Sequence, residues 1–270
     1  MKLRVIASLA YLPVLMVPLY LGGVFSLILV LLISTFATYE YNKAFGLNYK
    51  LTQIVTILAS CVYYAMIYFY GIQFLEGFLV IYFIALVCVY VFEYPKYHIK
   101  DMAVLMFGFI YTNLMFSYIL LVRLDGNRGL WYVWLIFLIA FGSDIFAYLV
   151  GRTFGKHKLT PKLSPNKTIE GAIGGLFGAA LFCVIYGLYM YIMGGTDDLS
   201  NLPQLAILGF FGSILAQIGD LVASGIKRTT GIKDFGKIIP GHGGVLDRFD
   251  SNILLAPLVY YLMITILKII

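Results

Sequence analysis

The chain has 270 residues, 61% of them hydrophobic and only 12% charged, with a mean hydropathy of +0.93 and a formal net charge of +6. Soluble domains carry about a quarter charged residues and under half apolar ones, so lipid is the solvent for most of this chain and an independently folding soluble domain is excluded.

A helix crossing a ~30 Å hydrocarbon core needs about 20 apolar residues. On that measure the sequence predicts an all-α, polytopic integral membrane protein with about nine spans, near residues 5–20, 23–39, 51–71, 75–94, 102–122, 130–150, 171–193, 203–225 and 250–268. The opening Met1-Lys2-Leu3-Arg4 and its apolar continuation imitate a signal peptide, but further spans follow at once without a small-residue cleavage site. Pro13, Pro18 and the pair Gly22-Gly23 mark either a tight turn or a break within one long helix. Residues 1–125 are expected to hold five N-terminal spans, and residues 126–270 a catalytic C-terminal region with cytoplasmic loops at 151–170 and 226–249. Cys61, Cys88 and Cys183 fall in apolar runs without ligand spacing and read as small buried hydrophobes.

Orientation follows from the positive-inside rule. With the N-terminus in the cytoplasm, 16 of the 19 Lys and Arg fall inside, and only Arg123, Arg128 and Lys268 fall outside, beside the acidic turn Asp197-Asp198. The net charge is then a topological signal that also attracts anionic headgroups, and nucleic-acid binding needs no separate hypothesis. In the seventh span Gly171, Gly174, Gly175 and Gly178 form overlapping small-xxx-small pairs, a face for close helix packing that is also compatible with a homodimer.

Chemistry is expected where carboxylates meet lipid. Asp144 and Asp220 each sit seven residues before the cytoplasmic edge of a span, roughly 10 Å deep at 1.5 Å per residue. A charge at that depth costs a few kcal/mol and needs a partner or a job. No basic residue lies at comparable depth in the nine spans, which favours a shared cation over an internal salt bridge. Asp247 and Asp250, at i, i+3 spacing where the ninth span begins, join one helical face. Acids at a helix N-terminus are also stabilised by the macrodipole. An all-oxygen set of Asp144, Asp220, Asp247 and Asp250 suits Mg²⁺ better than zinc, with room for a second cation.

The loop from Ser224 to Asp250 alternates Lys227-Arg228, Lys233-Asp234 and Gly241-His242-Gly243-Gly244 with Asp247-Arg248. Lys and Arg neutralise phosphate oxygens, and the glycine stretch offers backbone N–H groups as an anion nest. The first loop supplies Arg152 and Lys167 as a second phosphate strip, while Ser164 or Thr168 caps the following helix and Glu170 serves as a first-turn acid. His242 reads as structural or phosphate-contacting, and His98 and His157 as solvated.

These residues resemble the phosphatidate cytidylyltransferase (CDP-diacylglycerol synthase) family. Its signature is met by Ser224, Lys227, Arg228, Lys233, Asp234, His242, Gly243, Gly244, Asp247, Arg248 and Asp250. The stretches Asp144, Ala147, Tyr148, Gly151, Arg152, Gly155 and Ser164, Pro165, Lys167, Thr168, Glu170, Gly171 are also similar, with Asn166 and Ile169 standing where the family has Lys and Trp. The resemblance covers residues 140–255 and implies a Mg²⁺-dependent reaction of CTP with phosphatidic acid, giving CDP-diacylglycerol and pyrophosphate in a membrane, here expected to be a bacterial inner membrane. It implies catalytic roles for Asp220, Lys227, Arg228, Lys233, Asp234, Asp247 and Arg248. Substrate contacts fall to Arg152, Ser164, Lys167, Thr168, Ser224, His242, Gly243 and Gly244. Two other classes fit the bare pattern. A CTP-dependent isoprenoid-alcohol kinase would need a base for its hydroxyl nucleophile, and an ion transporter would use Asp144 and Asp220 as an ion path.

Overall fold

The computed structural model describes residues 13–47, 49–196, 198–237 and 243–265. Among them, seven helices are long and apolar enough to cross a membrane, and the chain is an α-helical polytopic membrane protein. It divides into two compact units, Met1–Leu124 with Thr230–Arg248, and Asp125–Thr229 with Phe249–Ile270.

In the first unit a helical stretch at residues 13–21 gives way to α1 (Gly23–Ala44), followed by α2 (Lys50–Tyr70), α3 (Leu75–Phe92) and α4 (Ile99–Phe109). A π-helical turn (Ile110–Leu114) joins α4 to α5 (Met115–Leu124). Gly22 and Gly23 have φ of 74° and 52°, conformations that side chains disfavour, so the glycine pair is a break between helices. Arg123 of α5 closes it by donating to the carbonyls of Leu19 (2.5 Å) and Tyr20 (3.0 Å). A basic side chain on the last carbonyls of a helix satisfies orphan acceptors and opposes the macrodipole.

Because lipid is as apolar as Leu, helices in a membrane associate through packing and hydrogen bonds. Buried hydroxyls serve that purpose here. Ser34 and Tyr64 bond side chain to side chain at 2.5 Å, and Tyr64 donates to the Asn113 carbonyl at 3.0 Å. Thr38 meets Thr112 at 2.6 Å and accepts from Asn113 Nδ2 at 2.8 Å. These contacts gather on the π turn, where wider winding displaces carbonyls from their usual partners.

The second unit comprises α6 (Gly126–Phe154), a hairpin of β1 (Lys158–Thr160) and β2 (Ser164–Thr168), then α7 (Ile169–Ile192) and α8 (Leu202–Thr230). The hairpin was not expected within residues 151–170, which the sequence reads only as a loop. Pro161 follows Thr160, Leu163 N–H bonds back to the Thr160 carbonyl at 3.2 Å, and Lys158 pairs with Thr168 and Thr160 with Ser164. Proline's fixed φ suits the second position of such a turn. The small-residue face of α7 is consumed within the chain by α6. A side chain at Gly178 would strike Phe146, and one at Gly174 would meet Val150 Cβ at 2.6 Å. Homodimerisation loses the surface that the sequence suggested for it.

Half of the expected first span, residues 5–12, lies outside the described residues, and the helix at the expected span 250–268 starts earlier than expected and is broken. Up to residue 265 it is two short helices, α9 (Leu246–Ile253) and α10 (Leu255–Thr265), separated at Leu254. Pro257 explains the interruption, since it has no N–H for the Ile253 carbonyl and its ring crowds that group.

Candidate active site

Asp144 on α6 and Asp220 on α8 each precede the end of their helix by ten residues, at Phe154 and Thr230. Three interior polar side chains fix the frame beside them. Gln217, one turn before Asp220, donates to the Ala172 carbonyl of α7 and to Ser213 Oγ, both at 3.1 Å. Ser213 donates in turn to Ser143 Oγ of α6 at 2.8 Å. A bonded chain thus crosses α7, α8 and α6 immediately next to both carboxylates. Asp250 comes near Asp220 because Gly219 lacks a side chain, and any Cβ there would collide with the Asp250 carbonyl oxygen. Asp144 and Asp250 both lie within Coulombic reach of Asp220 and of each other.

The cation beside these acids is already partly supplied. Lys167 Nζ, carried on β2, lies 2.5 Å from Asp220 Oδ2, with about a quarter of each side chain exposed. This corrects the expectation that no salt bridge reaches Asp220. The basic partner was sought inside the spans, whereas the hairpin folds back and brings it from outside. Lys227, near the end of α8, acts on Asp250 electrostatically.

A cavity of about 410 Å³ opens beside the pair, lined by Asp144, Tyr148, Arg152, Lys167, Thr168 and Gln217 among others. Arg152 donates to the Tyr148 hydroxyl at 3.0 Å and lies 5.9 Å from that ring's centre. Thr168 is the N-cap of α7, its Oγ1 accepting from Gly171 N–H at 3.1 Å. Glycines at 151 and 171 let α6 and α7 meet there, since a Cβ on Gly151 would lie 2.9 Å from Thr168 Oγ1. Ser164 and Ser224 do not line the cavity. Ser224 is half-buried one turn beyond Asp220 on α8, and Ser164 pairs with Thr160 in the hairpin. Arg228 is exposed and donates through Nε to the Leu163 carbonyl at 3.4 Å, tying the end of α8 to the hairpin turn. His157 is not merely solvated, because its Nδ1 meets Glu170 Oε1 at 2.6 Å.

The remaining signature residues belong to the first unit. Asp247 Oδ2 accepts from the backbone N–H of Phe235 (2.8 Å) and of Gly244 (3.0 Å). The Gly244 amide, expected in an anion nest for substrate, is therefore taken by a protein carboxylate. The next two amides are taken as well. Val245 N–H donates to Glu40 Oε1 at 3.1 Å and Leu246 N–H to Glu40 Oε2 at 2.9 Å. Gly243 holds φ of 86°, Lys233, Asp234 and Arg248 are exposed, and His242 lies outside the described residues.

Residues 2–266 match the model of the cytidylyltransferase family. The chain belongs to the cytidylyltransferase family. Within it, a phosphatidate cytidylyltransferase from Staphylococcus haemolyticus (strain JCSC1435) is 41% identical over 169 residues. One from Staphylococcus aureus (strain COL) is 42% identical over 175 residues. Each match covers 63% of this chain and 62% of the relative. In this family member, sequence reasoning missed Glu40 and Gln217 as parts of the architecture. Glu40 carries the signal that identified Asp144, an acid inside an apolar run, but the expected span stopped at residue 39 while α1 continues to Ala44. Gln217 could have been found as a polar residue one helical turn from Asp220.

Proposed function

We propose that the protein transfers a cytidylyl group from CTP to phosphatidic acid, forming CDP-diacylglycerol and releasing pyrophosphate. Family membership and the names of the relatives support this reading. The observation that carries it is the cavity wall, where Lys167, Arg152 and Asp144 place cations and a carboxylate together, with Asp220 paired to Lys167 beside it. A triphosphate and a lipid phosphate are both anionic, and both need such neutralisation.

In the proposed reaction a phosphate oxygen of phosphatidic acid forms a bond to the α-phosphorus of CTP while the bond to the pyrophosphate oxygen breaks. The nucleophile needs no base, because a phosphate monoester with pKa₂ near ~6 is largely dianionic at neutral pH. The protein's task is then positioning and charge compensation. Lys167 and Arg152 screen the repulsion between the two anions in the cavity, and Lys227 and Arg228 extend the basic strip along the end of α8. Lipid enters sideways, so its acyl chains stay in hydrocarbon.

Mg²⁺ fits the donor set. Asp144, Asp220 and Asp250 offer only oxygen and repel one another, which a divalent ion would relieve. Among the described residues no group of three or more His, Cys, Asp or Glu is gathered tightly enough to enclose a metal. We place Mg²⁺ on one or two of these carboxylates, with water and substrate phosphates completing its shell. Bound there, it would supply Lewis-acid stabilisation of phosphoryl oxygens. Asp247 Oδ2 accepts two backbone amides and so orders its loop, and we keep Asp247 and Arg248, which that loop carries, among the groups of the proposed reaction.

We read the membrane as a bacterial inner membrane and the basic loops as cytoplasmic, with the N-terminus inside and about nine crossings. The supporting observation is the charge bias of 16 in 19 Lys and Arg. The reaction is tested by supplying CTP labelled at the α-phosphate with phosphatidic acid and Mg²⁺ and following label into lipid. The topology is tested by cysteine labelling from either side of sealed vesicles, where a reagent-accessible position at 162 from the outer face would overturn it.

A further inference from the structure

Glu40 is a carboxylate on an apolar helix, and only 2% of it is exposed. Among the described residues no cation forms an ion pair with its two oxygens. Each accepts one backbone N–H, from Val245 and Leu246, at the start of α9. Those amides are among the orphan donors of a helix N-terminus, where the macrodipole also favours an anion. The backbone that carries them is pressed onto the same carboxylate, because a side chain at Gly236 or Gly244 would collide with it. The following residue, Asp247, gathers Phe235 and Gly244 N–H from the other side. The segment before Asp247-Arg248 is thus held by two acids, one of them supplied by α1, some 200 residues earlier in sequence.

We propose that Glu40 is a positioning residue for the reaction, fixing the backbone that presents Asp247 and Arg248. It touches no substrate and acts through the amides of residues 245 and 246. This gives the N-terminal helices a part in catalysis beyond anchoring the protein. The inference rests on the cytidylyltransferase reading for its kinetic consequence and on the two hydrogen bonds for its structural one.

The test uses the full chain in detergent with Glu40→Gln, whose amide can accept only one of the two N–H groups and sets a donor against the other. Hydrogen exchange of the peptide covering residues 243–248 is expected to accelerate about tenfold, with α2, α3 and α4 unchanged, as befits a local opening. In the same protein kcat is expected to fall about 10²-fold with KM for CTP and phosphatidic acid nearly constant, the signature of misplaced groups and retained binding. Glu40→Asp, which keeps the charge, should recover part of both and serves as the readout if the Gln variant fails to fold. Unchanged exchange at 243–248, or acceleration spread evenly over the whole first unit, would overturn the inference. Absence of cytidylyl transfer in the unaltered protein would sink the functional reading instead, while the exchange result would still decide what Glu40 holds.

Discussion

Lys167 Nζ lies 2.5 Å from Asp220 Oδ2, although one belongs to a hairpin strand and the other to a helix expected to cross the membrane. A partly desolvated pair of this kind contributes little net stability, but removing one partner strands the other charge. The two substitutions should therefore differ. Lys167→Met should lower cytidylyl transfer about 10²-fold, because it deletes a cation that the proposed reaction uses to screen phosphate and leaves Asp220 without its ammonium. Lys167→Arg should retain a substantial part, as charge and reach survive. Equal turnover in Lys167→Met and the unaltered protein, measured by label transfer, would remove Lys167 from the reaction.

Asp144 and Asp220 carry the metal proposal. Asp220→Asn and Asp144→Asn should each abolish detectable turnover while the protein remains abundant in the membrane. Chelation should have the same effect on the unaltered enzyme, reversed by Mg²⁺ but not by Zn²⁺, since hard carboxylate and phosphate oxygens favour the harder ion. Full activity in excess chelator would contradict the assignment.

Thr168 has a structural role separable from chemistry. Its hydroxyl accepts from Gly171 N–H as the N-cap of α7. Thr168→Ala should cost about 1 kcal/mol of stability, seen as a lower unfolding midpoint in detergent. Thr168→Ser, which keeps the acceptor, should stay close to the unaltered value.

Packing of α6 on α7 depends on absent side chains. Gly178→Val would drive two methyl groups into Phe146, and overpacking of this kind costs about 1–3 kcal/mol. A thermal midpoint in detergent reads the loss directly. An unaltered midpoint would mean that α6 and α7 can separate at no cost, contrary to the contact described.

Much of this arrangement was legible in the sequence because the bilayer imposes a length ruler and penalises charge. The runs near residues 51–71 and 75–94 emerged as Lys50–Tyr70 and Leu75–Phe92, and Asp144 and Asp220 stood out as acids in apolar runs. Thr168 was readable as a cap because Ser and Thr accept the first amides of a helix. What escaped was non-local. Nothing in the composition of residues 151–170 says that a proline turn will fold β2 back and deliver Lys167 to Asp220. Nor does the spacing around Gly243-Gly244 reveal that Glu40, on α1, takes the next amides. The break at Leu254 was available from Pro257 but was masked by continuous hydropathy, which reports lipid contact and not backbone hydrogen bonding.

The most direct test is a thin-layer separation of lipid products after the purified protein meets CTP labelled at the α-phosphate, phosphatidic acid and Mg²⁺ in detergent. The account predicts label in a lipid product only when all three are present, and none with Asp220→Asn. Lipid that takes up label from the γ-phosphate instead, in the presence of an isoprenoid alcohol, or no labelled lipid at all from folded protein, would contradict it.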